Sequence, residues 1–139
     1  MPIKLWRFVV FYLGLSGLLA VVRFFVELPS GLGFVVVLFP ALIEGQRFAE
    51  SGQPRPPGGA IWRASVVMAA LAAGIGGVLA IGLVLSGAVP ELAAFDSWAT
   101  VIAVILAIYF VVAILICRGF WGIGYSLGLR DMEKKRAKR

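Results

Sequence analysis

Apolar runs at 5–26, 31–48, 61–85 and 95–117 constrain this chain more than any other feature. A helix needs about 20 mostly apolar residues to cross the hydrocarbon core of a bilayer. In lipid, each backbone amide must be satisfied within the protein, which makes long isolated runs of this kind helices. A soluble domain of 139 residues has too little interior to hide a composition that is 61% hydrophobic and 14% charged. An ordinary globular chain is about a quarter charged. The expected fold is therefore an all-α membrane protein, a four-transmembrane-helix antiparallel bundle forming one membrane domain over 1–139.

The connections between the runs are short and rich in breakers. Glu27-Leu28-Pro29-Ser30-Gly31 reads as a tight turn. The loop 49–60 contains Pro54-Arg55-Pro56-Pro57-Gly58-Gly59, where proline removes backbone donors and glycine frees the chain. Ser86-Gly87-Ala88-Val89-Pro90-Glu91 closes the third run. Short connections make successive helices antiparallel neighbours. The first run resembles a signal peptide in its basic start, but it is long, leads into Arg23 and lacks a clear Ala-x-Ala site, so it reads as a retained span.

Charge sets the expected orientation. With the N-terminus inside, twelve of the thirteen basic residues fall on the inner side and only Arg23 falls outside. Cytoplasmic flanks of membrane helices carry such an excess of Lys and Arg, which implies a multi-pass protein of the bacterial cytoplasmic (inner) membrane with both termini inside. Trp6, Trp62, Trp98, Trp121 and Tyr125 lie near run boundaries, where an apolar ring with a polar edge is favoured. The net charge of +6 is spread along the apolar runs, and the one dense basic cluster lies in the tail 118–139. That pattern points to anionic headgroups rather than nucleic acid. Gly119, Gly122, Gly124 and Gly128 leave two readings for 118–130: an extension of the fourth helix, or a segment lying in the interface.

The sequence has no histidine and a single cysteine, Cys117. A histidine metal site, histidine-ligated haem, a Ser-His-Asp triad and an intramolecular disulfide are all excluded. No cofactor, metal site or enzymatic activity is expected.

The third run is lined with small residues: Ala69, Ala73 and Gly77 on one line, and Ala72, Gly76 and Ala80 on another. Spacing by four puts each set on one helix face, where small side chains let backbones approach. Such faces serve packing within a bundle or contact with another subunit. Trp6-Arg7 and Trp62-Arg63 open the first and third runs alike, which reads either as a weak parallel repeat or as shared anchor chemistry.

The second run holds the one acidic residue well inside a span, Glu44, followed by Gln46 and Arg47 with Pro40 one turn earlier. A carboxylate there must be paired, protonated or reached by water. Arg47, three residues on, and Arg63, opening the next helix, are the expected partners. Pro40 cannot donate to the carbonyl of Val36, so a kink is expected at that level. At the outer end of the first helix, Arg23 and Glu27 have the spacing of an ion pair on one face.

These residues also resemble an uncharacterised family of small bacterial four-helix membrane proteins. The resemblance rests on Ser30-Gly31-Leu32-Gly33, Gly45-Gln46-Arg47-Phe48, Ser51-Gly52-Gln53-Pro54-Arg55-Pro56 and Trp62-Arg63. It covers the first helix into the third. The family pattern carries an acidic residue shortly before the tryptophan, where this chain reads Pro57-Gly58-Gly59-Ala60. The resemblance implies the fold and no activity. The expected role is a non-enzymatic accessory or interaction subunit, as a homo-oligomer or within a larger membrane complex. The alternative is a minimal oligomeric transporter or proton-coupled carrier using Glu44.

Overall fold

The computed structural model describes residues 4–27, 33–94 and 96–138, and among these it is helical with no strand. The helices are α1 (Leu5–Phe25), α2 (Val35–Glu50), α3 (Gly58–Leu85), the one-turn α4 (Pro90–Ala93) and α5 (Trp98–Ala137). The expected starts of the second and fourth spans, at 31 and 95, lie outside the described residues, as do Arg139 and all of the expected 27–31 turn except Glu27. Among the described residues, three helices are long and apolar enough to cross a membrane: Leu5–Arg23 of α1, α3 and α5. Their outer faces are apolar, as at Val78 (72% exposed), Ile108 (62%) and Leu115 (60%), which suits a lipid solvent.

The helix ends follow local chemistry. Gly52 (φ +72°) and Gly87 (φ +73°) take the left-handed conformation that ends α2 and α3. Both donate back to the preceding turn, Gly52 to the Ala49 carbonyl at 3.0 Å and Gly87 to that of Val84 at 3.1 Å. Pro57 precedes the first turn of α3 in extended geometry, where its missing donor costs nothing.

The directions of the helices can be read from their contacts. The hydroxyl of Tyr12 in α1 donates to the carbonyl of Ala72 in α3 at 3.4 Å. Arg118 of α5 lies over Trp62 near the start of α3, while Leu106 of α5 meets Gly77 further along it, so these two helices are antiparallel. Phe34, just before α2, stacks on Tyr109 (5.9 Å), and Phe48 packs on Trp121 (5.7 Å), so α2 and α5 run parallel.

The helix of the fourth expected span, α5, departs from expectation in length. At about 1.5 Å per residue, α5 is about 60 Å long, twice the hydrocarbon core. It continues unbroken through 118–130, which decides between the two readings left by the sequence. The glycines do not break α5 because two of them face another helix. Backbone of α2 stands where a side chain at Gly124 or Gly128 would project: the Leu42 carbonyl at Gly124, and the Gln46 carbonyl, 2.6 Å from the Cβ position, at Gly128. On α2, Gly45 meets the Trp121 carbonyl in the same way. Three glycines thus bring α2 and the second half of α5 to backbone contact. The α2 helix is only about 24 Å long by the same rise, and it lies alongside Tyr109 to Gly128 rather than along the whole apolar half of α5.

Candidate functional site

Glu44 is the buried acid of the structure, 3% exposed, and the groups around it differ from those its sequence neighbours suggest. Its Oε2 accepts a hydrogen bond from the backbone N–H of Lys4 at 3.0 Å. Lys4 is the residue before α1, and no side chain of its own caps that helix. The first amides of a helix have no internal acceptor, and the helix dipole places partial positive charge there. Glu44 therefore caps a different helix from the one that bears it, and ties the end of α2 to the start of α1. Its second oxygen, Oε1, is sealed from solvent with no hydrogen-bond partner among the described residues.

The arginines expected beside Glu44 are elsewhere. Among the described residues no ion pair forms within 4.0 Å. Arg47 is exposed and holds its guanidinium 5.4 Å from the centre of the Phe11 ring, a cation–π contact. Arg63 is exposed at the first turns of α3. Gln46 faces α5, where its Nε2 donates to Asp131 Oδ2 at 3.4 Å. The polar run on α2 is thus split three ways, because successive residues of a helix point about 100° apart. Pro40 is buried inside α2, and the helix passes through it without interruption.

Arg23 and Glu27 are both exposed and unpaired with one another. The helix ends at Phe25, and Val26 is extended (φ −141°, ψ 132°), so the four-residue register that would align them is lost. Of the small residues on α3, Ala69, Ala72 and Gly77 are buried, while Ala73, Gly76 and Ala80 are half-buried. A Cβ at Gly77 would meet Leu106 Cδ1 at 3.1 Å, whereas Gly74 and Gly76 have nothing within 4 Å.

No family model, curated protein or solved structure matches this chain.

Around Trp121 the structure gathers three of the expected interface anchors, Trp62, Trp121 and Tyr125, with Phe48, Arg55 and Arg118. Trp121 is fully buried, stacked on Tyr125 (5.6 Å) and tilted against Phe48, and its Nε1 has no acceptor among the described residues. Arg118 covers Trp62 at 4.4 Å, and Arg55 lies 5.9 Å from the Tyr125 ring centre. The usable signal was the four-residue spacing of Gly124 and Gly128, the same spacing noticed on α3. Among the described residues there is no group of three His, Cys, Asp or Glu side chains placed to hold a metal.

Proposed function

We propose that the protein is a non-enzymatic accessory or interaction subunit of a bacterial cytoplasmic membrane. It crosses the bilayer as four helices, with both ends of the chain and the 51–57 loop inside. The observation that supports this reading best is an outward furrow on α3, about 390 Å³, formed at Ala70 and Gly74 between Leu71, Ile75, Val78 and Leu79. Gly74 is exposed and nothing stands within 4 Å of where its Cβ would be. Small residues four apart on a lipid-facing surface let another helix approach closely. The residues Ala69, Ala72 and Gly77 serve the protein's own bundle, which leaves the Ala70–Gly74 face for a partner or a second copy.

The sidedness rests on the partition of basic residues, and the alternating directions of α1, α2, α3 and α5 are consistent with it. Lys134, Lys135 and Arg136, in the last turns of α5, then lie on the side of the anionic headgroups, each worth about 1 kcal/mol near the surface. Co-purification after mild detergent extraction tests the proposal. A stable complex or homo-oligomer that dissociates on Gly74→Leu is expected, and a strictly monomeric protein without a partner overturns it.

One observation favours a second reading, a minimal proton-coupled carrier: Glu44 Oε1 is buried with no partner among the described residues. Under that reading, proton flux in reconstituted liposomes is lost in Glu44→Gln. Flux equal to wild type removes Glu44 from the mechanism.

A further inference from the structure

We propose that the groove between α1 and α2 holds one acyl chain of an anionic phospholipid, with the lipid phosphate on Arg47 and Arg7. The groove has a volume of about 380 Å³ and apolar walls, Phe11, Gly14 and Leu18 from α1 and Phe39, Pro40 and Ile43 from α2. Its floor is open at Gly14, where a Cβ would meet nothing within 4 Å. Between Val10 and Leu18 it runs about 12 Å along α1, at 1.5 Å per residue. A trough of this kind takes a hydrocarbon chain lying along the helices.

One end of the trough is cationic. The Arg47 guanidinium stands over the ring of Phe11, which is itself a wall of the groove. Arg7 lies one turn before Phe11 on the same face of α1. Neither guanidinium has a carboxylate within 4.0 Å among the described residues. The helix α1 contains no acidic residue, and the carboxylate of Glu44 is turned inward onto the Lys4 amide. Two uncompensated guanidinium groups above an apolar trough match a ligand with one anionic head and a long apolar tail. Guanidinium is also suited to phosphate, since its planar donors meet two oxygens at once. A partner helix in the same trough would have to supply a carboxylate at this depth. An anionic lipid brings its charge at headgroup level.

The test uses delipidated protein in mild detergent and native mass spectrometry, with phosphatidylglycerol, phosphatidylcholine of the same chains, and inorganic phosphate as probes. The expected result is one phosphatidylglycerol retained per protein, weaker retention of phosphatidylcholine and none of phosphate. Arg47→Gln and Arg7→Gln each lower phosphatidylglycerol retention about fivefold. Gly14→Phe fills the floor and abolishes retention of either lipid, with unchanged helical circular dichroism as the check on folding. If Gly14→Phe does not fold, the wild-type protein answers the same question with the chain-free headgroup glycerophosphoglycerol, which should bind far more weakly than the lipid. Equal retention of the two lipids, an unaffected Arg7→Gln/Arg47→Gln double variant, full retention in folded Gly14→Phe, or headgroup or phosphate binding as tight as the lipid would overturn the proposal.

Discussion

Replacing Gly45 by alanine adds one methyl group where α2 meets α5, and the structure gives that methyl nowhere to go. Its Cβ would collide with the Trp121 carbonyl oxygen and lie 3.0 Å from both the Trp121 carbonyl carbon and the Tyr125 nitrogen. All three are backbone atoms of a helix, so no side-chain rotation relieves the overlap. The helices must separate, which also loosens the contacts at Gly124 and Gly128. Overpacking of this sort costs about 1–3 kcal/mol, and an obstacle made of backbone places Gly45→Ala at the upper end. Against this stands a gain of about 1 kcal/mol from the better helix propensity of alanine. The net expectation is a loss of about 2 kcal/mol, close to a 30-fold shift in the folding equilibrium. Unfolding of the detergent-solubilised protein by sodium dodecyl sulfate, followed by circular dichroism, measures it. Gly74→Ala on α3 is the control: the same chemical change, with open space around the new methyl, should be neutral or stabilising by up to about 1 kcal/mol. A Gly45→Ala protein as stable as wild type, or a Gly74→Ala protein equally damaged, would refute the reasoning.

Other substitutions probe the remaining contacts. Gly77→Ala meets only the tip of Leu106, which can yield, so the same titration should show a change below about 1 kcal/mol. Glu44→Ala removes the acceptor of the Lys4 amide and should cost about 1–3 kcal/mol, whereas Glu44→Gln keeps an acceptor and should lose only about 0.3–1 kcal/mol of charge–dipole attraction. Arg118→Gln uncovers Trp62, with an expected loss of about 0.5–1 kcal/mol and a shift in tryptophan emission. Cys117 is fully buried, so it should resist maleimide in the native protein while a cysteine placed at exposed Ser126 reacts. Equal labelling of the two positions would place Cys117 at the surface.

The sequence told most where hydropathy alone decides. The bodies of α1 and α3 follow their apolar runs, with α3 beginning three residues earlier than expected, because Pro57 starts a helix as readily as it ends a loop. Less legible was everything set by backbone from another helix. Arg47 looked like the natural partner of Glu44, but the donor is an amide of Lys4, and an amide is the same in every residue. The glycines of α5 leave open in the sequence whether the helix extends or turns into the interface. Gly124 and Gly128 are points of contact with α2, while Gly119 and Gly122 face open space, and only the presence of α2 distinguishes the two pairs. On α2 itself, Gly45 sits between the polar Glu44 and Gln46, and only the Trp121 backbone of α5 marks it as the residue that fixes the packing.

The crossing of α2 with the second half of α5 also bears on how such a chain is made. Its two sides are separated by most of the sequence, so during synthesis α2 emerges long before the segment Trp121 to Gly128 that covers it. Until then a short helix bearing Glu44 has no glycine-lined surface to rest against. The fold therefore closes late, when α5 is threaded past its apolar half. A nascent chain stopped near Arg118 would hold all the apolar length needed to enter the bilayer and would still leave α2 unseated. The apolar length of the chain and the contact that seats α2 are thus completed at different points of synthesis.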